Sequence, residues 1–152
     1  MEMQNMLQCA EIQLTYWPVI KAQHRPKVET GRQAYKLLLS SWDKGNIEFI
    51  EQFKLILLSR SNKVLGIYTV STGGMAGCFV DLKLVFASAL LSCAHNVILA
   101  HNHPSGNIQP SEQDLNMTRR IKEAGKVLDI QVLDHIIITT DSYYSFADEG
   151  IL

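Results

Sequence analysis

The chain has 152 residues, with 14 basic and 15 acidic side chains for a formal charge of −1, and 47% of it is hydrophobic. Those figures suit a single compact domain able to bury on the order of 70% of its unfolded surface. They argue against autonomous binding to nucleic acid by phosphate neutralisation, because that needs a basic stripe and the Lys and Arg here are scattered. His24-Arg-Pro-Lys27 is the nearest approach to a basic cluster and reads as a solvated linker. Cys9, Cys78 and Cys93 are odd in number and form no CxxC, the usage expected of free thiols in a reducing cytoplasm. There is no basic leader followed by an apolar core, and no run of membrane-spanning length, so the expected location is cytoplasmic.

In chain order, residues 1–27 read as a short leader in which Ile12-Gln-Leu-Thr-Tyr-Trp17 resembles an edge strand, followed by a connection from Pro18 to Pro26. From Val28 onward helices and strands alternate. Ala34, Leu37, Leu38 and Trp42 share one helical face, which predicts a helix over 29–42. Phe53–Leu58 and Val64–Val70 are apolar runs joined by the polar tip Ser59-Arg-Ser-Asn-Lys63, the pattern of a hairpin. Leu82, Val85, Phe86, Ala89, Leu90 and Cys93 recur at helical spacing behind Asp81 as cap, which places Cys93 in packing on the apolar face. A strand over Asn96–His101 and a helix from Ser111 to about Val127 follow, the latter with Met117, Ile121, Ala124 and Leu128 on its buried side. The last strand, Ile130–Thr139, is apolar on both alternations, as expected of a central strand covered on both faces. Asp134 and His135 interrupt it and read as hydrogen-bonded buried polar groups, orientation of a metal ligand being the lesser alternative. The order predicts an α/β architecture, a mixed β-sheet flanked by helices.

The densest chemistry lies in Ala100-His-Asn-His-Pro-Ser-Gly106 and Pro110-Ser-Glu-Gln-Asp114. His101 and His103 are two apart at a strand end, so both imidazoles project to one face. Asp114 stands at a helix start from which a carboxylate can turn back toward them. Each fragment has a plain structural reading: Ser111 and Asp114 form a capping pattern, and a single histidine of this kind is commonly a satisfied core residue. Capping explains neither histidine, nor the Pro104-Ser105-Gly106 turn. Two imidazoles and one carboxylate leave a tetrahedral metal one open position, the composition of a catalytic site, so one divalent metal, with zinc expected, is read here. Manganese, iron and cobalt suit the same donors.

The string His101-x-His103-Pro104, six residues, then Ser111-x-x-Asp114 matches the JAMM signature of the JAB/MPN metalloprotease superfamily. Together with the Ser-Gly106 that follows Pro104 and with Leu133-Asp-His-Ile-Ile137, it resembles the RadC branch, the so-called DNA repair protein RadC. The resemblance runs from about Val28 to the C-terminus, and makes 28–152 a RadC-like JAB/MPN domain of cytidine-deaminase-like fold. It also implies an upstream glutamate in the context Glu-x-Phe before an apolar run, which Glu51-Gln-Phe53 supplies, with Glu48 as second choice. Chemistry independently asks for such a base, since water activated by a metal still needs a proton acceptor. The activity implied is zinc-dependent hydrolysis of a peptide or isopeptide bond by metal-activated water. His101, His103 and Asp114 would hold the metal, Glu51 would shuttle the proton, and Ser111 would help stabilise the oxyanion.

Two departures from the family pattern stand out. The leader is too short for the helix-hairpin-helix region of longer RadC proteins, and Asp81-Leu-Lys83 replaces the usual Pro-Arg before the second helix. The rival readings are a DNA repair-associated protein, suggested only by the family's name, and a noncatalytic MPN interaction protein, which typically lacks one or more ligands. His101-Asn-His103 is not an HNH nuclease motif, and the H-x-E and P-C-x-x-C of zinc deaminases are absent. The substrate, expected to be a peptide or protein, and the oligomeric state are not legible.

Overall fold

A computed structural model describes residue 10 and residues 12–74 and 78–152. Among these residues three α-helices pack on a five-stranded mixed sheet. They are α1 (Gly31–Ser41), α2 (Leu82–Leu91) and α3 (Glu112–Val127), and the strands are β1 (Gln52–Leu58), β2 (Val64–Thr72), β3 (Asn96–Asn102), β4 (Gln131–Ile138) and β5 (Tyr143–Ser145). The spatial order is β2-β1-β3-β4-β5, with β3 and β4 parallel and every other pair antiparallel. The expected α/β architecture is therefore present.

Each helix begins where its cap chemistry places it. Thr30 and Gln33 close a capping box on α1, Asp81 accepts from the Lys83 N–H on α2, and Ser111 and Asp114 close a capping box on α3. The two faces of the sheet carry separate cores. Ala34 and Leu38 of α1 pack with Ile56, Leu58, Ile98, Ala100, Ile136 and Ile138 on one side. On the other, Val85, Phe86 and Ala89 of α2 and Ile121 of α3 meet Phe53, Leu55, Leu57, Val97 and Leu99. Every residue of β1 and β3 is buried, as strands covered on both faces require.

Three expectations fail locally. Residues 12–17 form no strand; Ile12 and Trp17 are 84% and 85% exposed, and the segment meets the edge strand β2 through the Tyr16 hydroxyl donating to the Leu65 carbonyl. One side-chain contact does not make a ladder, which needs backbone pairing. Cys93 lies beyond the end of α2, exposed and with φ 54°. It occupies the left-handed position of a helix stop, where the Ala94 N–H bonds the Ala89 carbonyl. The same stop recurs at Asp129 (φ 55°), which leaves Leu128 41% exposed. Gly125 takes the buried place, because a Cβ there would lie 2.5 Å from the Ile130 carbonyl oxygen. Cys78 and Cys93 are free thiols, and Cys9 lies outside the described residues. Among the described residues no helix is long and apolar enough to cross a membrane.

Candidate metal centre

Because α3 connects two parallel strands, the C-terminal end of β3 and the N-terminus of α3 meet at one end of the sheet's central strands. His101 and His103 reach that end on the side of α2 and α3, and Asp114 in the first turn of α3 faces them. His101 Nε2 stands 2.9 Å from His103 Nε2 and 3.3 Å from Asp114 Oδ1, and His103 Nε2 is 3.6 Å from Asp114 Oδ2. One donor atom from each of the three lies within 4.8 Å of the others. His101 is buried beneath Phe53, its ring stacked at 6.2 Å, and Asp114 is also buried.

Asp114 is held from behind. The Ser111 N–H donates to its Oδ2 at 2.8 Å, and its own N–H donates to Ser111 Oγ at 3.1 Å. The capping reading of Ser111 and the ligand reading of Asp114 thus describe one arrangement. The loop between them turns at Gly106, whose φ of 81° strains any other residue. His103 is fixed by this loop, its Nδ1 lying 2.5 Å from the Asn107 carbonyl. A carbonyl only accepts, so Nδ1 carries the proton and Nε2 of a neutral His103 is a lone pair.

With both rings neutral and unprotonated on Nε2, three acceptors would face one another, an arrangement that a proton or a metal ion balances. Burial lowers the His103 pKa, but its hydrogen bonds to Asp114 and Asn107 outweigh burial and raise it. Burial likewise pushes the Asp114 carboxyl up, and the His101 and His103 rings more than reverse this, holding it well below the usual carboxylate range. One imidazole nitrogen from each histidine and a carboxylate oxygen are donors that a divalent ion accepts. The residues therefore fit a His/His/carboxylate metal.

Glu51 sits immediately before β1, half-buried, two positions ahead of Phe53 and so on the same side of the strand. Phe53 pairs with His101, which directs Glu51 to the His103 side of the site, and the Glu51 charge acts on His103. The Cys78 thiol lies 3.8 Å from Glu51 Oε1. Burial first, with the Glu51 charge adding to it, pushes that thiol up to about 11, so it is no nucleophile at neutral pH. Glu48 is not in this group; it is exposed and accepts from the Thr140 hydroxyl at 3.1 Å. A small cleft of about 200 Å³ opens beside His103, between Pro104–Gly106 and Thr139–Ser142. The larger cleft, of about 940 Å³, lies at the opposite end of β3 around Arg60, Asn96 and Lys126 and contains none of these residues.

Sequence reasoning passed over Asn102. Alternation turns it away from the two histidines toward the α1 side, where it is fully buried. Its Oδ1 accepts from the Gln52 N–H at 2.7 Å, and its Nδ2 donates to the carbonyls of Ile47 and Ile50 at 2.8 and 2.9 Å. It therefore clamps the segment that presents Glu51. An amide between two histidines on an otherwise apolar strand was the available signal. Asn102→Ala would orphan three backbone groups and is expected to lower stability by about 3 kcal/mol in urea unfolding, whereas a loss under about 1 kcal/mol would deny the clamp.

A mixed sheet with helices on both faces, and a His/His/Asp cluster where a strand end meets a helix start, is the architecture of a JAB/MPN domain. The chain belongs to the RadC-like JAB domain family, whose model matches residues 28–151. A UPF0758 protein of Flavobacterium johnsoniae is 50% identical over 101 residues, 66% of this chain and 44% of that protein. One from Salinibacter ruber is 42% identical over 118 residues, 78% of this chain and 48% of that protein. A third, from Chlorobaculum tepidum, is 34% identical over 128 residues, 83% of this chain and 55% of that protein. The chain thus spans about half the length of the curated relatives it matches, and their shared name specifies no activity.

Proposed function

We propose that this domain is a zinc-dependent hydrolase that cleaves a peptide or isopeptide bond. The observation that carries the reading is the convergence of two imidazole nitrogens and one carboxylate within 4.8 Å of one another, at a site flanked by a glutamate. His101, His103 and Asp114 would hold a divalent ion, which when bound would supply Lewis acidity and lower the pKa of water toward about 7. Glu51 takes a proton from the attacking water and delivers it to the leaving nitrogen. The Ser111 hydroxyl accepts from the Asp114 N–H and keeps its own proton for a developing oxyanion. To test the reading, zinc-loaded protein is incubated with a linear peptide library and a lysine-isopeptide library, and products are read by mass spectrometry. Cleavage that a chelator stops and zinc restores is expected in at least one library; fully loaded protein that cleaves neither would overturn the proposal.

Ser111 separates cap from catalyst. Ser111→Ala is expected to lose ~1 kcal/mol of stability with the cap and about 10²–10³ in rate with the oxyanion donor. Ser111→Thr keeps both groups and should retain most activity. Metal content is measured alongside, because the cap also positions Asp114. Full activity in metal-replete Ser111→Ala would leave this serine a capping residue alone.

A further inference from the structure

Behind His101 runs a chain of hydrogen bonds that none of the roles above uses. His101 Nδ1 lies 2.8 Å from His135 Nε2, His135 Nδ1 lies 2.6 Å from Thr118 Oγ1, and Thr118 Oγ1 lies 2.7 Å from the Asp114 carbonyl oxygen. All four residues are buried, His135 completely. The direction of each bond follows from the last. A carbonyl oxygen has no proton, so the single hydroxyl proton of Thr118 is given to Asp114. The second contact must then be a donation from His135 Nδ1 to the Thr118 oxygen. His135 is closed in by the rings of Phe53, 5.7 Å away, and Phe146, 4.6 Å away, and makes no hydrogen bond to a carboxylate among the described residues. An imidazolium there would be a fully buried charge touching no carboxylate, so the ring is neutral and its Nε2 is an acceptor. The donor facing it is His101 Nδ1–H, which leaves the lone pair of His101 on Nε2, the atom that faces His103 and Asp114.

We propose that His135 and Thr118 are positioning residues that lock His101 in the Nδ1-protonated tautomer, with Nε2 presented as a ligand. The assignment of tautomer is independent of any metal; its consequence for metal affinity rests on the proposed function above. Two features of the chain build the lock. Thr118 is one turn after Asp114 on α3, so the helix that carries one ligand also carries the anchor for the other. In β4, Val132 pairs with Val97 but Asp134 pairs with Ile98, so Leu133 is an extra residue in the parallel ladder. A one-residue slip exchanges the two faces of a strand. Without this bulge His135 would point to the α1 side, away from His101; with it, His135 pairs with Leu99 and faces the site. Ligating histidines usually donate their second N–H to a carboxylate, carbonyl or water. Here a second imidazole takes that place, and its own tautomer is set by a hydroxyl whose proton is already committed.

Long-range ¹H–¹⁵N spectra of the full metal-free chain read the tautomers directly, and competition against a chromophoric chelator reads zinc affinity. The wild type is expected to show His101 and His135 both protonated on Nδ1. His135→Leu removes the acceptor and should populate the other His101 tautomer and weaken zinc binding by about 10–100-fold. His135→Gln offers an amide oxygen to the same N–H and should recover most of that loss. Thr118→Val frees His135 to flip and should mimic His135→Leu in a chain that melts cooperatively, whereas Thr118→Ser should behave as wild type. Thr118→Val decides the matter if His135→Leu does not fold. His101 protonated on Nε2 in the wild type, or wild-type zinc affinity in folded Thr118→Val, would overturn the proposal. A wild type that shows the Nδ1–H tautomer but binds no zinc would support the lock and overturn the metal-hydrolase reading instead.

Discussion

Glu51→Gln is expected to lower the rate by about 10²–10⁴-fold on any peptide that the wild type cleaves, while the zinc content of the protein stays unchanged. The substitution keeps size and shape and removes the proton acceptor. Glu51 is not among the three residues whose donor atoms converge, and it reaches the site from the other strand, ahead of Phe53 on β1. The backbone bonds that hold it in place, its N–H to Gly74 and its carbonyl from Gly73, are indifferent to the change. A Glu51→Gln protein that lost its zinc would make Glu51 a ligand. One that kept both zinc and full activity would remove it from the chemistry.

Asp114→Asn is expected to do the reverse, weakening zinc affinity on the order of 10²-fold or more, since a ligand is worth at least as much as the groups that orient ligands. The amide keeps an oxygen to accept from the Ser111 N–H, so α3 should remain capped and the fold intact. What it lacks is the charge that raises His103 and balances a cation among His101, His103 and itself. Circular dichroism at fixed temperature checks the fold while chelator competition reads the metal. Wild-type affinity in this variant would assign the third ligand elsewhere.

Much of this site is local, and that is why it could be read from the chain. Period-two alternation puts His101 and His103 on one face, and the capping box fixes where Asp114 enters α3; neither depends on distant packing. The burial of most of β4 was likewise legible, because Ile130–Thr139 is apolar on both alternations apart from Asp134 and His135. His135 was legible in part, since it is the buried, hydrogen-bonded group expected at that position, but its pairing with His101 was not. Its facing His101 depends on the bulge at Leu133, and a strand apolar on both alternations carries no mark of a shifted register. Asn102 was hidden for the related reason that its partners, Ile47, Ile50 and Gln52, lie some fifty residues earlier. Cys93 and Leu128 were assigned by a helical period that continued past helix stops, where non-glycine residues hold positive φ. Residues 12–17 alternate as a strand does, but alternation supplies no ladder partner.

The most direct test of the account is the zinc content of the full chain after loading and gel filtration, measured by elemental analysis beside His103→Ala. Close to one zinc per chain is expected in the wild type and none in the variant. A correctly folded wild type without stoichiometric metal, or equal zinc in both proteins, would contradict it.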